Sequence, residues 1–294
     1  MKTAAYKGII AGRLLLFACL SLLCLSSWAQ DKQTDQRPRI GLVLSGGGAW
    51  GAAEVGALKV MEEVGVPIDM IAGTSIGGIV GGLYAVGYKA ERLDSMFRSQ
   101  EWIDLFVKGD LMGYFERITG IRDTLDFYRL PIPFACVAVD IRNQQEVVLR
   151  RGSLPAAMRA TMAIPGVFSP VKINGRTLVD GGMMNVLPAD VVKAMGADIV
   201  IAIDLQQKDH ESRHFSLKNL LGIGGILDWA VSRPDWKKYN DNRKLCDIYI
   251  RPDLSGYSVM DFNKSDISAM IALGEDAARA KLKELRQLVD KPNE

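Results

Sequence analysis

The sequence predicts an α/β fold built around a mostly parallel sheet. Two observations carry this. Short continuous apolar runs, each stopped by glycine or a polar residue, read as strands buried on both faces. They alternate with longer stretches whose apolar residues fall near helical spacing, and such alternation builds a sandwich with helices covering the sheet.

The elements follow in order. Ile40-Gly41-Leu42-Val43-Leu44 is the first strand, ended by Ser45 and three glycines. Residues 52–64 form a helix, with Val55, Leu58, Val60, Met61 and Val64 near helical spacing. Residues 68–72 are the second strand and 75–86 the second helix. Gly77, Gly78, Gly81 and Gly82 weaken that helix by roughly 1 kcal/mol each against alanine, which is tolerable where another backbone comes close. Residues 91–97 are helical. Residues 111–127 mix Met112, Tyr114, Phe115 and Ile118 with Gly113 and Gly120. They fit no regular element and read as a packed surface loop or as a lid walling an acyl chain. Residues 134–140 and 146–149 are strands joined by a turn. Residues 153–162 are a helix with Ser153 as cap and Pro155 in its first turn. Thr177-Leu178-Val179 is a strand leading into Asp180. Residues 189–195 are a helix and 199–205 a strand. The polar stretch 206–216 is the one internal boundary the composition offers. Beyond it, residues 217–231, a strand at 246–251 and a last helix near 266–289 form an α-rich extension expected to pack on the same core.

The N terminus reads as a segment to be removed. Lys2, Lys7 and Arg13 precede an apolar run at 14–25 that is too short for a span, and Ser27-Trp28-Ala29 offers small residues to a signal peptidase. A signal peptide over 1–29 therefore implies export to the periplasm or beyond; an N-terminal anchor helix is the alternative. Residues 30–38 are a polar lead-in, 39–205 the catalytic region and 206–294 the extension. Removal takes three of the 36 basic residues and none of the 34 acidic ones. The remaining body is nearly neutral, with no electrostatic reason to expect a nucleic-acid partner. It keeps two cysteines, Cys136 and Cys246, both in strand-like apolar runs and read as small buried hydrophobes; export would permit a bridge between them. No pattern encodes an oligomeric state.

Gly73-Thr74-Ser75-Ile76-Gly77 is a G-x-S-x-G elbow, and it lies between a strand and a helix, the setting that gives the motif its meaning. A serine hydroxyl is a poor nucleophile, so it needs a base and donors for the charge that develops on the substrate oxygen. The two histidines, His210 and His214, both fall in the polar stretch and read as solvated loop residues. Either would complete a triad only by coming back to the sheet. Asp180 is the carboxylate candidate: it follows a strand, and ligands of α/β sheets sit beyond the carboxyl ends of parallel strands. Before Gly181 and Gly182 it could equally be a turn former. Gly46, Gly47 and Gly48, between a strand and a helix, leave amides uncovered in a nest suited to an oxyanion. With Gly51 the same letters spell a dinucleotide fingerprint, but that reading needs an acidic residue late in the second strand, and Asp69 stands at its beginning.

Together these residues resemble the patatin-like phospholipases, the bacterial branch in particular. The resemblance runs from about Arg39 to Leu205 and rests on the glycine loop Gly46–Gly51, the elbow Gly73–Gly77 and the motif Asp180-Gly181-Gly182. Ala163-Ile164-Pro165-Gly166-Val167-Phe168, Asn185-Val186-Leu187-Pro188 and the tail segment from Ile250 to Tyr257 are also similar. It implies a three-layer patatin-like sandwich and a Ser75–Asp180 dyad hydrolysing lipid or phospholipid acyl esters, with transient contact at a membrane surface and neither metal nor organic cofactor. Trp50 stands where the family usually has Arg or Lys, and Glu54 where it often has His. Losing a cation beside the oxyanion loop keeps a second reading open, a lipid-binding scaffold with little or no turnover. Secreted members can precede an outer-membrane barrel, and nothing in these residues encodes one.

Overall fold

Alternating side chains along the central strands face two different apolar layers. In β1 (Ile40–Leu44), Leu42 and Leu44 join one buried cluster and Val43 the other. The same division holds for β2 (Met70–Thr74), where Ile71 faces one side and Ala72 the other. Apolar residues on both faces require helices on both faces. The computed structural model describes residues 37–99, 102, 104–105, 111–207 and 235–289. The expected signal peptide at 1–29, both histidines and the expected segment at 217–231 lie outside these.

The remaining strands are β3 (Thr124–Asp126), β4 (Phe134–Asp140), β5 (Gln145–Leu149), β6 (Arg151–Ser153), β7 (Val171–Ile173), β8 (Arg176–Asp180), β9 (Ile199–Ile203) and β10 (Ile248–Ile250). The main sheet has the order β10-β9-β1-β2-β4-β8-β7, with β5 also paired to β4. The five strands from β10 to β4 are mutually parallel, while β5 and β8 run antiparallel to β4. β3 and β6 form a separate antiparallel ribbon. This is the α/β sandwich around a mostly parallel sheet that the alternation predicts.

Of the helices, α1 (Gly51–Val64), α2 (Ile76–Ala85) and α3 (Ala90–Phe97) lie close to their expected places. α4 (Leu111–Thr119) occupies a stretch read as irregular. Leu111, Tyr114 and Phe115 are buried core residues rather than a lid. The signal for this helix was its end: Gly120 has φ 68° and its N–H donates to the Glu116 carbonyl at 3.0 Å, a left-handed glycine stop. α5 (Leu154–Thr161) begins as expected, with the Ser153 side chain accepting from the Ala156 N–H. α6 (Ala189–Ala194) and α7 (Trp236–Arg243) cover the face of Val43 and Ala72 through Val191, Val192 and Tyr239. The last expected helix is two, α8 (Lys264–Arg279) and α9 (Leu282–Val289), broken at Ala280-Lys281 where no proline or glycine marks a stop. Cys136 and Cys246 are free thiols.

α8 crosses α1 at backbone contact. A β-carbon on Gly56 would lie 1.9 Å from the Ile271 carbonyl oxygen, and one on Gly274 would lie 1.9 Å from that of Ala53. Two residues before Gly56, Glu54 is fully buried, and among the described residues neither carboxyl oxygen has a hydrogen-bond partner. Burial pushes its carboxyl well above the usual range; the Ser45 backbone opposes this and the nearby Asp204 adds to it.

Two measurements test this packing. Helix propensity says Gly274→Ala should stabilise α8 by about 1 kcal/mol. The crossing says it should destabilise the protein by about 2 kcal/mol or more, read by denaturant unfolding. For Glu54 the folded-state pKa lies above the unfolded one, so its contribution to stability is lost as pH rises. Glu54→Gln should therefore raise the melting temperature at pH 8, and the gain should shrink towards acidic pH.

Candidate active site

Ser75 is the residue between β2 and α2. Its φ of 56° and ψ of −123° are strained for a residue with a β-carbon, at a cost on the order of 1–3 kcal/mol. The strain turns strand into helix in one residue and leaves the hydroxyl at the end of the sheet. Gly73 and Gly77 make the turn possible. A β-carbon on Gly73 would stand 2.3 Å from the Gly77 carbonyl oxygen, and one on Gly77 would stand 2.4 Å from that of Leu44. Gly51 likewise gives room to Ile76, whose Cγ1 would be 2.3 Å from an added β-carbon.

Asp180 reaches the same place by a route the sequence did not suggest. It does not end a parallel strand, because β8 is antiparallel to β4. The register explains the meeting. Val137 of β4 pairs with Val148 of β5 on one edge and Thr74 of β2 on the other. The next residue, Ala138, pairs with Val147 of β5 and with Asp180 of β8. β2 and β8 therefore share one edge of β4 and run towards each other, and Ser75 and Asp180 are the residues where they meet.

Ser75 Oγ donates to Asp180 Oδ2 at 2.6 Å across 105 residues of chain. Asp180 Oδ1 accepts from the Gly182 N–H at 2.7 Å. Gly181 passes so close to β4 that a β-carbon there would be 2.3 Å from the Val137 carbonyl oxygen. Both residues are buried, each 6% exposed. Burial raises the Asp180 carboxyl to about 6, against the Ser75 hydroxyl and the Gly182 N–H, which favour its ionised form. At neutral pH an ionised carboxylate then faces an alcohol, the arrangement a general base requires.

The glycine loop stands over this pair. Gly46 and Gly47 line a cavity of about 10 Å³ with Ser75, Asp180 and the apolar Ile164, Met183 and Val186, a volume on the order of one water. Of the three amides expected to be uncovered, that of Gly46 is taken, donating to the Val186 carbonyl at 3.1 Å. Among the described residues the N–H groups of Gly47 and Gly48 make no hydrogen bond. The chain beyond β9 supports the loop: the Leu205 N–H donates to Ser45 Oγ at 2.8 Å and Gln206 Nε2 to the Gly46 carbonyl at 2.9 Å. Ala49 N–H donates to the Val259 carbonyl at 2.9 Å. Trp50 does not replace a cation as donor, since its indole N–H goes to the Tyr257 carbonyl at 3.1 Å while its ring packs beside Ile164 and Val259.

Two residues to which sequence analysis assigned no role at the site help to build it. Thr161 Oγ1 accepts from the Ser75 N–H at 2.9 Å. The backbone carbonyl of Asn185 accepts from the Thr74 hydroxyl at 2.8 Å, while its side-chain amide donates to Glu146 and Asp190. Thr161 closes a helix that sequence signals located, but its neighbour in space comes from 86 residues away. Asp69, the acid a dinucleotide would need, sits at the other end of β2, where Oδ2 accepts from the Ile40 N–H at 2.7 Å. Among the described residues no cluster of three or more His, Cys, Asp or Glu side chains is placed to hold a metal ion.

Comparison with known proteins identifies the family and the fold. Residues 42–193 match the patatin-like phospholipase family. The chain is 33% identical over 265 residues to patatin-like phospholipase domain-containing protein 6 of Homo sapiens, covering 77% of this chain and 19% of that one. It is 30% identical over 265 residues to lysophospholipase NTE1 of Scheffersomyces stipitis, covering 77% and 17%. It thus spans about a fifth of the length of the curated relatives it matches. Among solved structures, VipD from Legionella pneumophila has the same fold, with a TM-score of 0.50 over 85% of this chain and 67% of that one at 10% identity. With more than half of its residues matched and a mostly parallel sheet beneath the glycine loop and elbow, the chain belongs to the patatin-like phospholipase family.

Proposed function

We propose that this protein is a lipid acyl hydrolase in which Ser75 is the nucleophile and Asp180 the base. The observation that carries the reading is the buried 2.6 Å hydrogen bond between them, beside two backbone amides left without a partner among the described residues. Ser75 Oγ attacks the acyl carbonyl and its proton passes to Asp180. The Gly47 and Gly48 N–H groups stabilise the oxyanion. Collapse of the tetrahedral intermediate expels the alcohol, which takes the proton from Asp180. A water then gives its proton to Asp180 as its oxygen attacks the acyl carbon, and Ser75 Oγ takes that proton back as its bond to the fatty acid breaks. Ile164, Met183 and Val186 offer an apolar wall for an acyl chain. A cavity this small must open for an ester to enter, and contact with a membrane surface is the setting in which those apolar side chains would part. The names of the relatives support phospholipids and lysophospholipids as the substrate class. The leader-like N terminus supports the bacterial exported branch of the family.

A second reading has a specific observation behind it. Trp50 brings no charge to the oxyanion loop and its N–H is engaged elsewhere, which favours a lipid-binding scaffold without turnover. A fluorophosphonate probe separates the two, because it labels only an activated serine.

Ser75→Ala should abolish hydrolysis of a lysophospholipid and probe labelling with the fold retained, and Asp180→Asn should lower kcat by roughly 10²- to 10⁴-fold. Wild-type rates in both variants would end this reading. Because Asp180 acts ionised, kcat/KM should fall as pH drops through about 6. The stability effect has the opposite sense. The folded pKa of about 6 exceeds the unfolded value of about 3.9, so the ionised residue costs stability above that range. Asp180→Asn should melt at a higher temperature than wild type at pH 8, and the difference should vanish below about pH 4.

A further inference from the structure

We propose that the segment Thr161–Ala163, leaving α5, is a clamp that sets the separation of Ser75 and Asp180, with Thr161 a positioning residue for the nucleophile. This rests on the reading of those two residues as the reacting pair. Thr161 is fully buried. Its hydroxyl accepts from the Ser75 N–H at 2.9 Å and donates to the Val137 carbonyl. Two residues on, the Ala163 carbonyl accepts from the Asp180 N–H at 3.0 Å. One short segment thus holds the main chain of both members of the pair. It touches neither the Ser75 hydroxyl nor the Asp180 carboxylate through any of these bonds.

The topology explains why such a clamp is needed. Where two strands meet head to head on one edge, the ladder is interrupted for a step. Val137 is the residue of β4 at that interruption. Its carbonyl faces the junction, as its closeness to Gly181 shows. A hydroxyl both donates and accepts, so Thr161 satisfies the Val137 carbonyl and the Ser75 amide with one atom. The amide it holds belongs to the strained residue. Losing that bond leaves a buried N–H unpaired and lets the Thr74–Ser75 peptide rotate towards a relaxed conformation. The hydroxyl of Ser75 would then move off Asp180, and misplacement by about an ångström is enough to cost roughly 100-fold in rate.

Thr161→Val keeps the side-chain shape, including the methyl that packs on Gly78, and removes only the hydroxyl. Thr161→Ser does the reverse. With a lysophospholipid in detergent micelles, Thr161→Val should lose roughly 10- to 100-fold in kcat with KM unchanged. Fluorophosphonate labelling of Ser75 should slow by a similar factor, and Thr161→Ser should stay within about threefold of wild type in both, as expected if the hydroxyl alone matters. Near-wild-type kcat in Thr161→Val, an equal loss in Thr161→Ser, or a change confined to KM would each overturn the clamp. Should Thr161→Val fail to fold, amide hydrogen exchange of the wild-type protein decides. A Ser75 N–H protected like those of Gly78 and Ile79 supports the clamp, and one that exchanges freely overturns it. Ser75→Ala in the same assays keeps the two ideas apart. If it turns over substrate, the reacting pair itself is misassigned; if it is dead while Thr161→Val is active, only the clamp fails.

Discussion

Two strands of opposite direction end against each other on one edge of β4, and the rest of the site depends on that meeting. β2 brings Ser75 up one half of the edge and β8 brings Asp180 down the other half, with Val137 and Ala138 as adjacent rungs. A backbone register, rather than a flexible loop, therefore sets the distance between two side chains 105 residues apart. The glycines follow from the same constraint. Gly73, Gly77 and Gly181 lie where chains turn out of the sheet against a neighbouring carbonyl, and a β-carbon at any of them would sit inside van der Waals contact.

Burial acts differently on the carboxyl groups near this junction. Asp180 and Glu54 are both desolvated, and both carboxyls are raised. Asp180 receives a hydroxyl and an amide that favour its charged form, so its titration stays near 6. Glu54 receives little compensation and has the charge of Asp204 beside it. Asp204 in turn accepts from the hydroxyls of Tyr239 and Tyr249 and from the Gln206 N–H. The same physical cost is thus set against hydrogen bonds at Asp180, and left largely unopposed at Glu54 in the helix behind the glycine loop.

The glycine loop is a shared product of distant parts of the chain. Its strand comes from the N-terminal end of the described fold. Its supports are Leu205 and Gln206 after β9 and the carbonyls of Tyr257 and Val259 beyond β10. Residues outside the family match at 42–193 therefore help to shape the glycine loop. Trp50 belongs to this arrangement: it fastens the loop to the Tyr257 carbonyl and gives its ring to the apolar side of Ile164.

Much of this was legible in the residues themselves, because the signals are local. Continuous apolar runs marked the buried strands, the Ser153 cap and Pro155 marked α5, and the spacing of Gly73, Ser75 and Gly77 marked the elbow, since each reflects sterics within a few residues. α4 was missed because Gly113 sits inside it, although Gly120 at its end was a readable stop. The direction of β8, the loss of the Gly46 amide to Val186 and the place of Thr161 were beyond any local pattern. Strand pairing and hydrogen bonds across 86 to 140 residues are decided only when the whole sheet assembles. The sequence by itself determined which groups could react; the order and register of the strands decided which of them meet.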